Sequence, residues 1–228
     1  EIGSGLVGSE MCIRDRLTPS LQVAMNELSN HDHSRFLTRT NHKAGRVAQL
    51  GTEAAEKDVN KAILREAVIM QMTWIGAPTI YYGDEAGVCG FTDPDNRRTY
   101  PWGKEDQEML DFHKRMICIH KAYPILAKGS LEFLWNDHQG LSYGRFSDSE
   151  QIIVILNNQD QERDIRVTAW KTGVSRKEAT AFQRLMLSSG EGYTEMPEEY
   201  IADAGILQVK MPAYGAMVLH HRARDKYK

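Results

Sequence analysis

The sequence predicts an α/β half followed by an all-β half, on three observations. Two stretches of helical period, 61–74 and 109–119, lie before Pro124, with a β-branched and aromatic run between them. Beyond Pro124 the period shortens, and strand-like runs alternate with Gly, Asn and Asp turns. No internal repeat or low-complexity segment interrupts either half.

Each element follows from its own residues. Ile63, Ala67, Met70 and Trp74 recur at helical spacing until Gly76 and Pro78 stop the pattern, which predicts an amphipathic helix. Thr79-Ile80-Tyr81-Tyr82, ending at Gly83, reads as a buried strand. A Gly- and Pro-punctuated loop spans 83–103, and Met109, Phe112, Met116 and Ile119 form the second helical stripe. A short strand is expected near Leu28. The later strands are expected at 141–146, 151–156, 163–170, 206–210 and 216–220, with the boundary between the halves at 124–129.

Composition narrows the classes of partner. The formal net charge is −3 with signs mixed along the chain, so no basic face is expected for nucleic acid or anionic membrane. No apolar run reaches the roughly 18 residues of a membrane span. The three cysteines, Cys12, Cys89 and Cys118, show no CxxC or Cys/His spacing, which points to a reducing, cytoplasmic compartment and to no structural metal. Residues 1–16 lack the pattern of a signal peptide, and 7–16 resemble a translated sequencing-library adapter. They are set apart as a non-native leader, the native reading starting at Leu17.

Chemistry-bearing residues are dense at 26–36, where Glu27, Asn30, His31, Asp32, His33 and Arg35 crowd around the first expected strand. Taken alone, they fit a polar turn with Asp32 capping the next segment, and His31/His33 is a weaker metal pair without a third ligand. By residue type alone, Asp93 and Arg97 read as a surface ion pair. Asp84 and Glu85 do not make an acid/base pair, because adjacent residues leaving a strand point in opposite directions. Structural pairing suits them better, and an ion pair for Arg35 is plausible there.

Asn30-His31-Asp32 with Arg35 resembles the motif after the seventh strand of α-amylase-family barrels, in the neopullulanase and cyclomaltodextrinase branch. The 76–87 stretch is similar to that family's eighth strand and following loop, and Asp93-Pro94-Asp95-Asn96-Arg97-Arg98 with Trp102 resembles its maltodextrin-degrading branch. The likeness covers Met25 to Asn158; later residues match only by strand content and position. It implies the C-terminal part of a (β/α)8 barrel over 17–124 and an all-β sandwich domain over 125–228. It further implies that Asp32 stabilises the transition state, that His31 bonds the sugar in the cleaved subsite, and that Asp93 and Arg97 contact substrate.

The substrate class implied is an α-glucan oligosaccharide, whether maltodextrin, cyclodextrin or pullulan, cleaved with retention; no cofactor and no metal ligand are expected in this chain, and calcium dependence is left open. The resemblance places the nucleophilic aspartate after the fourth strand and the glutamate acid/base after the fifth, both upstream of Asp32, so the chain alone is expected to be inactive. A homo-oligomer remains open for the full-length parent. A transglycosylase, a sucrose-acting relative and a non-catalytic binding protein on the same barrel are the alternatives.

Overall fold

The structure, a computed structural model, describes residues 18–43 and 45–223; the expected leader, 1–16, lies outside them. Strand β1 (Met25–Asn26) pairs in parallel with β2 (Ala77–Pro78), in the register Met25↔Ala77 and Asn26↔Pro78. Between them runs helix α1 (Lys61–Thr73), the crossover that parallel strands require. The helix ends at Thr73, and Gly76 turns the chain into β2 at φ +125°, where an added Cβ would lie 2.5 Å from the Ala24 carbonyl. Helix α2 (Gln107–Ala122) and the single turn α3 (Ile125–Lys128) follow.

Both long helices start where an amide or carboxylate accepts from their orphan N–H groups. Asn60 Oδ1 accepts from Ala62 at 2.9 Å and Ile63 at 3.4 Å, and Asp106 Oδ1 accepts from Met109 at 3.2 Å. α2 buries the expected stripe of Met109, Phe112, Met116 and Ile119. α1 departs from the expected single apolar face. Of its residues, Ala62–Ile69 and Gln71–Thr73 are all buried, including Arg65 and Glu66, because the sheet below covers the side that periodicity assigned to water.

The run 79–82 is not the buried strand expected. The ladder stops at Pro78, and Thr79, Ile80 and Tyr81 are only half-buried with Tyr82 exposed. Among the described residues β2 has one strand neighbour, and two strands cannot cover both faces of such a run. The strand expected near Leu28 ends two residues earlier, at Asn26.

The second half is one nine-stranded antiparallel sheet: β3 (Ser130–Asp137), β4 (Gly140–Phe146), β5 (Glu150–Asn157), β6 (Arg163–Val167), β7 (Thr180–Ser189), β8 (Gly192–Thr194), β9 (Glu199–Asp203), β10 (Ile206–Met211) and β11 (Gly215–Arg222). Its order is β3-β4-β5-β11-β7-β9-β10-β6, with β8 attached to β7. The strand expected to reach Trp170 ends at Val167, giving way to a 3-10 turn at Ala169–Thr172. There the sheet curls back on itself: Thr168 N–H and Lys171 Nζ donate to the carbonyls of Leu134 and Phe133 in β3, at 3.4 Å and 3.0 Å.

The curl gives the sheet two buried faces. In β5, Ile152, Val154 and Leu156 join Leu64, Val68, Met116 and Leu126 in one core, while Ile153 and Ile155 join Phe182, Leu207 and Leu219 in a second. That explains an unbroken apolar run in a strand whose side chains alternate. The helices and the sheet therefore share the first core. Arg145 of β4, fully buried, reinforces the junction: it donates to the carbonyls of Thr73 at the end of α1, Leu126 in α3 and Gly129 just beyond it. Burial pushes its guanidinium down to about 10.

Candidate active-site rim

The loop leaving β1 is shaped by Asn30. Its Oδ1 accepts from the N–H groups of Asp32 at 2.9 Å and His33 at 3.1 Å, and its Nδ2 donates to Glu27 at 2.9 Å. The capping role considered for Asp32 thus falls to other residues, since Ser29 Oγ accepts the Phe36 N–H at 2.9 Å where the next helical turn starts. His31 and Asp32 are left projecting, their side chains 68% and 69% exposed, with His31 Nε2 3.4 Å from Asp32 Oδ1.

A second loop, 83–98, is locked against the first by two buried side chains. Asn96 Nδ2 donates to the carbonyls of His33 at 2.8 Å and Asn30 at 3.3 Å. Arg35, completely buried, donates to the carbonyls of Asn96 (2.8 Å) and Tyr82 and to Asp84 Oδ1 (3.1 Å), while its guanidinium lies 4.1 Å from the Tyr81 ring centre. The ion pair plausible for Arg35 is therefore present, with Asp84 as its partner. Burial pushes the Asp84 carboxyl up to about 6, the Ser29 hydroxyl and Arg35 offsetting only part of that cost. Gly90 lets the second loop fold closely on itself, because a Cβ there would stand 2.4 Å from the Asp95 carbonyl oxygen.

Asp93 and Arg97 form an ion pair on this second loop, each about half exposed. Arg97 directly follows Asn96, so the pair belongs to the strip of chain fastened to the His31/Asp32 loop. Among the described hydrogen bonds and ion pairs, none joins the two pairs directly. Arg98 turns the other way, gripping Asp95 with Nε at 2.9 Å and Nη2 at 3.0 Å and reaching Glu56. Trp102 stands 82% exposed, tilted against Tyr100 at 4.5 Å. Among the described residues, no group of three His, Cys, Asp or Glu side chains stands where it could hold a metal ion.

Sequence reasoning singled out His31, Asp32, Asp93 and Arg97 but missed that Asn30 and Asn96 position them. Asn30 carried a usable signal, since an asparagine two residues before a polar turn accepts from that turn's N–H groups. Asn96 carried none, because its partners lie more than sixty positions away.

Polar side chains clustered on loops that follow parallel strands joined by a helix are an α/β arrangement that open sheets and barrels share. The chain belongs to the α-amylase family: residues 13–195 match the α-amylase catalytic domain. It is 33% identical over 200 residues to an amylopullulanase of Thermoanaerobacter thermohydrosulfuricus, covering 82% of this chain and 13% of that protein. Against neopullulanase 2 of Thermoactinomyces vulgaris it is 32% identical over 156 residues, 67% of this chain and 24% of the relative. The chain thus spans less than a quarter of these curated relatives. An α-amylase of Geobacillus thermoleovorans, solved with acarbose, superposes with a TM-score of 0.69 at 20% identity over 90% of this chain and 40% of its own. A debranching enzyme of Nostoc punctiforme gives 0.66 at 20% identity, over 95% of this chain and 37% of its own. These likenesses carry the fold.

Proposed function

We propose that this chain is the C-terminal part of a retaining glycosidase that cleaves α-glucosidic bonds in maltodextrins, cyclodextrins or pullulan. Asp32 is its transition-state stabiliser, His31 bonds the sugar at the cleaved bond, and Asp93 and Arg97 contact the glucan. The observation that carries the reading is the rim itself: Asn30 fixes the turn by its own amide and leaves the carboxylate of Asp32 and the imidazole of His31 outside the hydrogen-bonding of the loop. A fixed negative charge is useful where an oxocarbenium-like cation develops. The named relatives, an amylopullulanase and a neopullulanase, support the substrate class.

In this reading the nucleophile and acid/base belong to a preceding part of a longer protein, residues 17–124 close the barrel, and 125–228 form the sandwich-like domain behind it. The family match begins at residue 13, so of the expected leader only residues 1–12 are foreign to it in this reading, and the enzyme works in the cytoplasm. The test is Asp32→Asn in the polypeptide extended upstream through the missing carboxylates. Circular dichroism should be unchanged while maltodextrin turnover falls about 10²- to 10³-fold; near wild-type turnover would remove Asp32 from catalysis. The 228-residue chain by itself should release no sugar, and turnover that survives repurification sinks the division of labour.

A further inference from the structure

Away from the rim, a cleft of about 770 Å³ opens between the two halves of the chain. One wall is the chain entering α1, residues 58–62 with Arg65, and Glu108 of α2 stands beside it. The other wall is the turn from β7 into β8, residues 190–193. Arg65, only 3% exposed, ties the two together underneath: Nη1 donates to the Glu108 carboxylate at 2.8 Å and 3.1 Å, and Nη2 donates to the Ser189 carbonyl at 2.7 Å. Both walls and the tie beneath them are thus built by this chain, and the cleft shares no residue with the His31, Asp32, Asp93 and Arg97 rim.

The lining selects the ligand by charge and by shape. Its charges are mixed and close to balance: Lys61 pairs with Asp106, Asp58 with Lys43 and Arg65 with Glu108, while the exposed Glu191 has no ion-pair partner among the described residues. Carboxylate acceptors and an ammonium donor side by side, without a large net charge, suit a neutral ligand whose groups both donate and accept, as sugar hydroxyls do. Tyr193 adds a half-buried ring seated on Phe112, the ring centres 5.0 Å apart, against which the C–H face of a sugar packs. Gly190 and Gly192 leave the space beside it empty, since a Cβ added at either meets nothing within 4 Å. We propose that this cleft is a second, non-catalytic binding site, for a neutral oligosaccharide that bridges the helices and the sheet. For the kind of sugar the inference rests on the proposed function, and the occupant is an α-1,4-linked glucan. Such a site retains a polymer between cleavage events without touching the scissile bond.

The test uses the full 228-residue chain with maltohexaose and, as the β-linked counterpart, cellohexaose, read by calorimetric titration and amide hydrogen exchange. Maltohexaose at tenfold over its dissociation constant should slow exchange about tenfold at the amides of residues 190–193. Tyr193→Ala removes the ring and should weaken binding there about tenfold. Gly190→Phe fills the cleft without removing a contact and should abolish the binding, which keeps the test decisive even where Tyr193→Ala disturbs the packing on Phe112. Slowed exchange confined to residues 30–33 and 93–97, an affinity unchanged by Gly190→Phe, or equal binding of cellohexaose overturns the proposal. No turnover enters this readout, so the role of Asp32 and the role of the cleft fail separately.

Discussion

Arg35 offers the sharpest test of how the rim is built. Arg35→Met keeps much of the side chain's length and apolar contact but removes donors to the Asn96 and Tyr82 carbonyls and to Asp84. Breaking a buried ion pair costs about 3–5 kcal/mol, because the surviving charge stays desolvated, and Asp84 is only 6% exposed. The two orphaned carbonyls add to this, though not additively, since they belong to one network. The loss therefore approaches the whole stability of a domain holding about 5–15 kcal/mol. Urea unfolding of the full chain measures it, with hydrogen exchange at the Arg35 N–H, bonded to Gly90 at 2.9 Å, reporting separation of the loops. Arg35→Met with Asp84→Leu should recover part of the loss, as no buried charge remains. A single-variant loss below about 1 kcal/mol, or a double variant no better than the single, would refute the reasoning.

Other outcomes follow from the same contacts. Glu66 holds its proton more tightly folded, to about 8, than an unfolded glutamate, which titrates near 4.3; its contribution to stability is complete below pH 4 and lost as pH rises through 8. The urea midpoint should therefore fall between pH 7 and 9, and Glu66→Gln should flatten that fall; a wild-type midpoint that rises over the interval contradicts the burial. Asn60→Ala, which strips the acceptor from the start of α1, should cost about 1 kcal/mol in the same assay, and a neutral result would show that the cap is not used. Tyr143→Phe removes the hydroxyl that meets Thr73 Oγ1 at 2.6 Å inside the core and should also cost about 1 kcal/mol, with Thr73→Val in the same background adding little.

What could be read from sequence was what local pattern encodes. α2 and the run Ile152-Ile153-Val154-Ile155-Leu156 announced themselves by period and by apolar density. β7 did not, and its partners explain why: between Val218 and Leu219 of β11 the register slips, so Val218 faces Met186 while Leu219 faces Arg184. The extra residue, Leu185, turns the alternation over, and Phe182 joins one core while Met186 joins the other. The opposite holds for α1, whose period was plain and whose burial was not, because the covering sheet lies seventy or more positions along the chain. At the rim, residue types flagged His31 and Asp32, but the posts that hold them work across long intervals of sequence, 61 positions for Arg35 and the Asn96 carbonyl.

The place of Arg145 has a mechanical corollary. One cation gathers carbonyls of α1, α3 and the connector at Gly129, so the segment between helices and sheet is tied at three points. Cutting or lengthening the chain at residues 128–130 would not liberate two independent modules; it would maroon a positive charge in oil. The boundary that sequence draws there is a weld rather than a seam.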